Sequence, residues 1–304
     1  MEYITEARKK QVNRIRKRRR RKRIMRRIVL MLCLVLLAAA AVKGAWFVVQ
    51  TVAAGITQKT ESIVSAVEET AEASSHVQEE LPLPVTKLSQ SEKLACILED
   101  DSYPEKLKEM AQKNSETIDF VYNYPQLKDE VWNIDLTEES QSDQVPLLMQ
   151  WDERWGYITY NGGMMGYGGC GPTTLSMVVL YLTRDASATP AAVAAYAESA
   201  GYCVPGSGST WSLIKEGCEH YGLHASEVAM VENRIRDKLD EGCPVVVNVG
   251  PGDFTDSGHY MVIVGYDDQG FIINDPNSRT NSEKRWTFDQ LNGQVRNLWA
   301  MSKV

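Results

Sequence analysis

Residues 28–49 form an apolar run broken only by Lys43 and Gly44, and no other stretch limits the fold of this chain as strongly. As a helix these residues would extend ~33 Å, about the thickness of a bilayer's hydrocarbon core. Residues 1–27 carry fourteen Lys/Arg against Glu2 and Glu6, whereas residues 28–304 carry nineteen Lys/Arg against thirty-eight Asp/Glu. The positive-inside bias predicts a basic cytoplasmic segment (1–27) and a single-pass transmembrane anchor in the cell membrane (28–49). Everything after residue 50 is then extracytoplasmic. Lys43 and Trp46 suit the far interface. A second reading stays open: residues 28–42 also have the length of a signal-peptide apolar region, which would be cleaved. The basic block alone would suit nucleic acid, but an apolar helix starting a few residues later argues against that partner.

Residues 50–87 are rich in Ala, Glu, Ser and Thr and read as a stalk that buries little surface. Residues 88–144 change to short amphipathic helices. Ser91 is expected to cap a helix over 92–98, and Pro104 to open one over 105–113. A third covers 115–122 and ends at Tyr124-Pro125. This segment is too short to hold a core alone and is predicted to pack on the main domain, 145–304.

In that domain a Gly-rich stretch, 161–169, leads into a helix over 172–182. Further helices are predicted over 190–200, 211–221 (capped by Ser209 or Thr210) and 232–241. Strands follow at 245–249, 259–265 and 270–274, the last two joined by a tight turn, with a closing strand at 298–301. Helices first and an antiparallel sheet afterwards give an α+β class. No internal repeat, phosphate-binding loop or familiar metal-ligand spacing is present.

Three residues carry the chemistry. Cys170 stands between Gly169 and Gly171 at the start of a helix, whose free N–H groups favour a thiolate and can hold an oxyanion. The glycines are expected to let substrate and backbone approach closely. His259 opens a strand whose two faces are both apolar, Met261 and Ile263 on one side and Tyr260, Val262 and Val264 on the other. A short hairpin would return Asp275, at the end of the next strand, beside His259, where a carboxylate fixes the imidazole tautomer and supports its charged form.

The Gly-Cys-Gly-Pro-Thr helix opening at 169–173, Gly258-His259-Tyr260 leading to Gly265-Tyr266-Asp267, and Asn274-Asp275-Pro276 together resemble the bacteriocin-processing (double-glycine leader) peptidase-like family. These are papain-like cysteine peptidases, and the resemblance is to a free-standing, membrane-anchored bacterial member. It implies a papain-like fold, peptide or protein substrates, Cys170 as nucleophile, His259 as base and acid, and Asp275 as orienter. It also implies Gln150 as an oxyanion donor, although Gln150 lies twenty residues before Cys170. No cofactor and no metal are expected.

Other acyl substrates, such as cell-wall peptides cut by an amidase or transpeptidase, stay open, as does a non-catalytic surface module. Cys203, Cys218, His220 and Cys243 match no common zinc spacing. Cys96, Cys203, Cys218 and Cys243 permit disulfides outside the membrane without indicating a pairing.

Overall fold

The computed structural model describes residues 88–304 apart from Ser207, all within one compact unit. The expected basic segment, membrane span and stalk lie outside the described residues. Among the described residues no helix is long and apolar enough to cross a membrane.

Helices α1 (Gln90–Glu99), α2 (Glu105–Lys113) and α3 (Ile118–Leu127) come first. Helix α1 is capped by Ser89 rather than Ser91. Ser89 Oγ accepts the Glu92 N–H while the Glu92 carboxylate accepts the Ser89 N–H, a reciprocal box that satisfies two otherwise unpaired donors. Helix α3 runs past Tyr124-Pro125, contrary to expectation. Pro125 lies within its last turn, and Tyr124 and Leu127 pack against a buried cluster that holds this turn in place. That cluster joins Ile97, Leu107, Phe120 and Val121 to Met149, Trp151 and Tyr157 of the following domain. Phe120 stacks on Tyr157 with ring centroids 4.4 Å apart. A fully buried side chain of this size contributes roughly 1.5–3 kcal/mol, so the helices and the domain share one core rather than merely touching.

Next come two short hairpins, β1 (Thr159–Tyr160) with β2 (Gly163–Met164) and β3 (Cys203–Val204) with β4 (Gly208–Ser209). Between them lie helices α4 (Cys170–Thr183) and α5 (Pro190–Ser199), the latter capped by Thr189. The helix expected over 211–221 is interrupted. It forms α6 (Trp211–Lys215) and then a tighter 3-10 turn, Gly217–Tyr221, where the Tyr202 ring would lie 3.1 Å from a Cβ on Gly217. The expected cap is also absent, since the Thr210 hydroxyl donates to the Tyr202 carbonyl.

The main sheet has six antiparallel strands in the order β5 (Leu223–Glu227), β10 (Val295–Lys303), β6 (Val245–Val249), β7 (His259–Asp267), β8 (Gly270–Asn274) and β9 (Arg285–Trp286). Strands β5 and β9 have no counterpart in the sequence reading. The C-terminal strand is longer than expected and does not close the sheet; it pairs with β5 on one side and β6 on the other. Helix α7 (Glu232–Asp240) precedes β6, while α8 (Arg279–Glu283) and α9 (Phe288–Asn292) flank β9.

Both faces of the sheet are covered, which explains the unbroken apolar runs of β6 and β7. Val246, Tyr260, Val262 and Trp299 meet α4 and α5 in one core, and Val247, Met261, Ile263 and Phe271 form a second with Ile235 and Leu291. Two bulges interrupt the ladders. Val264 is inserted in β7, so Tyr266 reaches the second core instead of following Val262 and Val264. Arg296 is inserted in β10, between the pairs Val295–Val249 and Asn297–Asn248.

Candidate active site

Helix α4 begins at Cys170 itself, two residues earlier than its Pro172 suggested. The first N–H groups of a helix have no partner within it. Pro172 removes one of these donors, and the Thr173 N–H bonds the Gly169 carbonyl, which leaves the Cys170 N–H without a partner within the helix and the Gly171 N–H facing the sulfur. The glycines beside Cys170 let neighbouring elements pack closely, the backbone half of the expectation for them. A Cβ on Gly169 would lie 2.6 Å from the Met165 carbonyl oxygen, and one on Gly171 would lie 2.3 Å from Ser209 Oγ. The open position is Gly168, where a Cβ would meet nothing within 4 Å.

The β7–β8 hairpin brings the other two residues together. Asn274 pairs with Val262, so Asp275 emerges beside the start of β7, and its Oδ1 lies 2.7 Å from His259 Nε2. Nδ1 is then the ring nitrogen left for Cys170, with which His259 also shares a hydrogen bond. Asn248 Nδ2 holds the His259 carbonyl at 3.1 Å and receives the Trp211 indole N–H on its own oxygen.

Asp275 is 1% exposed and fully bonded. Besides His259, its Oδ1 accepts the Asn277 N–H and its Oδ2 accepts Asn281 Nδ2, both at 2.8 Å, while its own N–H donates to Ser282 Oγ. Asn281 and Ser282 belong to α8, and α8 is fastened from outside. The Glu116 carboxylate accepts Ser278 Oγ–H and the N–H groups of Arg279 and Thr280, and Asn114 Nδ2 donates to the Asn277 carbonyl. Glu116 and Asn114 come from the segment between α2 and α3. None of these four supporting residues was found from sequence; Glu116 meets its partners more than 160 positions away, and no local pattern marks such contacts.

Electrostatics single out this cluster. Burial would raise the Cys170 thiol, but the hydrogen bond and charge of His259 and the N–H groups of Tyr260 and Gly171 outweigh it and bring Cys170 below the ordinary cysteine value. For His259, burial opposes protonation, and the Asp275 charge and the bonds to Asp275 and Cys170 overcome it, holding the imidazolium well above the usual range. Burial likewise raises Asp275, and the His259 charge with the bonds from His259, Asn281 and Asn277 brings it below the usual carboxylate value. The half-buried Cys203 and Cys243 go up with burial, and buried Cys218 is pushed up to about 11. A thiolate–imidazolium pair is therefore the favoured state of Cys170 and His259 alone among these.

A family model described as the Peptidase_C39 like family matches residues 142–303, just over half of the chain. The chain belongs to this family. Its C39-like region is similar to the peptidase domain of Streptococcus ComA, a bi-functional ABC transporter involved in a quorum-sensing pathway. The identity is 20%, the match covers 45% of this chain and 93% of that one, and the TM-score is 0.37. It is also similar to a double glycine motif protease from an AMS/PCAT transporter solved in complex with the leader peptide, at 15% identity, covering 53% of this chain and 94% of that one, TM-score 0.35. No curated protein matches.

The cleft of this C39-like domain has two lobes meeting at Cys170. One, about 550 Å³, is lined by Tyr160, Gly163, Gly208, Trp211 and Arg296 among others; the second, about 330 Å³, by Gln150, His259, Phe254, Met110 and Lys113. Lys106, Tyr167, Ser257 and Gly258 border both. Helix α2, outside the matched family region, thus supplies part of the wall. Gln150 reaches the second lobe because its N–H bonds the Pro276 carbonyl at 2.7 Å, while residues 151–169 loop out through β1 and β2. Its Nε2 donates to the Gly166 carbonyl at 2.9 Å, and its buried Oε1 has no partner. An amide nitrogen carries two protons, so the bond to Gly166 leaves one unused by it.

Among the described residues no three His, Cys, Asp or Glu side chains gather to hold a metal, and Cys96, Cys170, Cys203, Cys218 and Cys243 are all free thiols. His220 instead stacks on Tyr196.

Proposed function

We propose that the protein is a thiol peptidase that hydrolyses peptide bonds at Cys170, is held in the membrane by residues 28–49 and works outside the cytoplasm. The observation that carries the chemistry is the buried, fully bonded Asp275–His259 pair beside a thiol brought below its ordinary pKa. The sulfur, as thiolate, attacks a peptide carbonyl. The resulting oxyanion is held by the Cys170 N–H and the second Nε2 proton of Gln150. The His259 imidazolium gives its proton to the leaving amine as the C–N bond breaks, leaving a thioester. His259, now neutral, takes a proton from water, which attacks the thioester carbonyl; the C–S bond breaks, the acid departs and the thiolate–imidazolium pair is restored. Asp275 keeps the ring turned toward Cys170 and stabilises its charged state throughout. The charge asymmetry about residues 28–49 supports the membrane placement.

The test incubates the full chain with a peptide library and, separately, with cell-wall muropeptides. Cys170→Ala is expected to lose all hydrolysis and, by mass mapping, the labelling of this position by an electrophilic amide, while keeping its melting temperature. Hydrolysis that survives the substitution sinks the nucleophile assignment, and turnover of muropeptides alone moves the substrate to the cell wall. Carbonate-resistant sedimentation with membranes tests the anchor.

A further inference from the structure

The larger cleft lobe has a charge out of keeping with the rest of the domain. Residues 88–304 carry sixteen Lys/Arg and thirty-two Asp/Glu. Ten of those cations lie within 4.0 Å of a carboxylate. The lobe is lined by Lys106 and Arg296 and by no carboxylate, and neither cation is among those ten. Among the residues lining the two lobes Glu109 is the one acid, and it lines the other lobe; Glu198, outside both linings, is engaged by the Asn161 N–H at 2.6 Å.

Arg296 is also deliberately aimed. It is the inserted residue of the β10 bulge, a device that redirects a side chain out of the regular alternation. Its guanidinium lies over Gly250, where a Cβ would come within 2.6 Å of Nε, and its Nη1 reaches 3.7 Å from the corresponding position on Gly258, the residue before His259. Any side chain on Gly250 would push it off this course. The same lobe holds Asn161, 7% exposed, whose buried Oδ1 has no partner among the described residues and suits a peptide N–H.

We infer that Arg296, with Lys106 of α2, recognises a carboxylate carried by the peptide that occupies this lobe, making acidic peptides the preferred substrate class. This rests on the peptidase reading for turnover but not for binding. Arg296 suits a carboxylate because its planar fork donates two parallel hydrogen bonds. The carboxylate belongs either to an Asp or Glu side chain or to a peptide C-terminus, and the test separates the two.

Internally quenched peptides cut by the full chain are resynthesised in three forms: with internal Glu and an amidated end, with Gln in place of Glu, and with neutral side chains and a free C-terminus. One carboxylate-bearing form should exceed the neutral amidated peptide about tenfold in kcat/KM, mostly through KM. Arg296→Gln should bring that ratio near one, Arg296→Lys should retain part of it, and Arg296→Glu should turn the preference toward Lys-containing peptides. The same labelled peptides are titrated onto the full-length Cys170→Ala protein by fluorescence anisotropy. A carboxylate preference there that Arg296→Gln removes upholds the inference even where wild type cuts nothing, an outcome that defeats only the hydrolytic reading. Equal affinity for acidic and neutral forms, no binding of either, or a preference that persists in both Arg296→Gln and Lys106→Gln overturns it.

Discussion

Replacing Asp275 by Asn isolates the electrostatic part of the Asp275–His259 contact. Asn keeps an oxygen for His259 Nε2–H and for the Asn277 N–H, and Asn281 can turn its amide to accept from the new NH₂ group, so the geometry survives. What is lost is a charge that is 1% exposed and 2.7 Å from the ring. A hydrogen bond to a charged group contributes about 1.5–3 kcal/mol and a neutral one about 1 kcal/mol, so the imidazolium loses roughly 0.5–2 kcal/mol of stabilisation. At 1.36 kcal/mol per unit this lowers the His259 pKa by about one unit. The sign follows from the direction of the native shift. His259 is raised, so the imidazolium persists above its ordinary value and is lost as pH rises through the raised one. In Asp275→Asn it is lost earlier. The alkaline limb of the kcat/KM profile should therefore move down by about one pH unit, with hydrolysis falling about tenfold below wild type on the far side. An alkaline limb that stays in place, in a variant with wild-type melting temperature, would refute the assignment of that limb to His259.

Two further substitutions probe how the site is built. Glu116→Ala removes the acceptor for Ser278 Oγ–H and for the N–H groups of Arg279 and Thr280. It should cost about 1–2 kcal/mol in chemical denaturation. It should also lower kcat more than it raises KM, because Asn281 and Ser282 lose their fixed approach to Asp275; an unchanged kcat would separate the clamp from catalysis. Gly171→Ala puts a methyl group 2.3 Å from Ser209 Oγ and 2.6 Å from its Cβ, and should destabilise by about 1–3 kcal/mol. Adding Ser209→Gly should recover most of that loss in thermal melts, less the 2.7 Å bond between Ser209 and Tyr160; additive losses would show that the clash lies elsewhere.

Cys170, His259 and Asp275 were readable because each stands at the end of a strongly patterned element, and the turn from Asp267 to Gly270 is too short to permit a different hairpin. The α+β class and the paired apolar faces of β7 were readable for the same reason. The bulges at Val264 and Arg296 were not: Val264 leaves the apolar run of β7 looking unbroken, and Arg296 lies ahead of the expected closing strand, 298–301. Nor were the neighbours of Gly169 and Gly171, Met165 and Ser209, which are set by packing between elements. The sites of helix capping failed where local chemistry offered two serines, and only Ser89 stands three residues ahead of Glu92. The Glu116 clamp is purely tertiary. Its residues carry no pattern until α2, α3 and α8 are already in place.

The position of β10 governs when the sheet beneath the candidate site can be completed. It is the last of the sheet's strands in chain order, yet it lies in the interior of the sheet between β5 and β6. Until it arrives, β5 has no ladder partner, and β6, neighbour of the strand that begins at His259, is an unpaired edge. Pairing of such distant segments is slow, because a long loop must close before any contact rewards it. The sheet therefore cannot be completed until residues 295–303 have been made and have left the ribosome. Loss of residues 295–304 would leave a chain that keeps every candidate catalytic side chain but not the sheet that carries them.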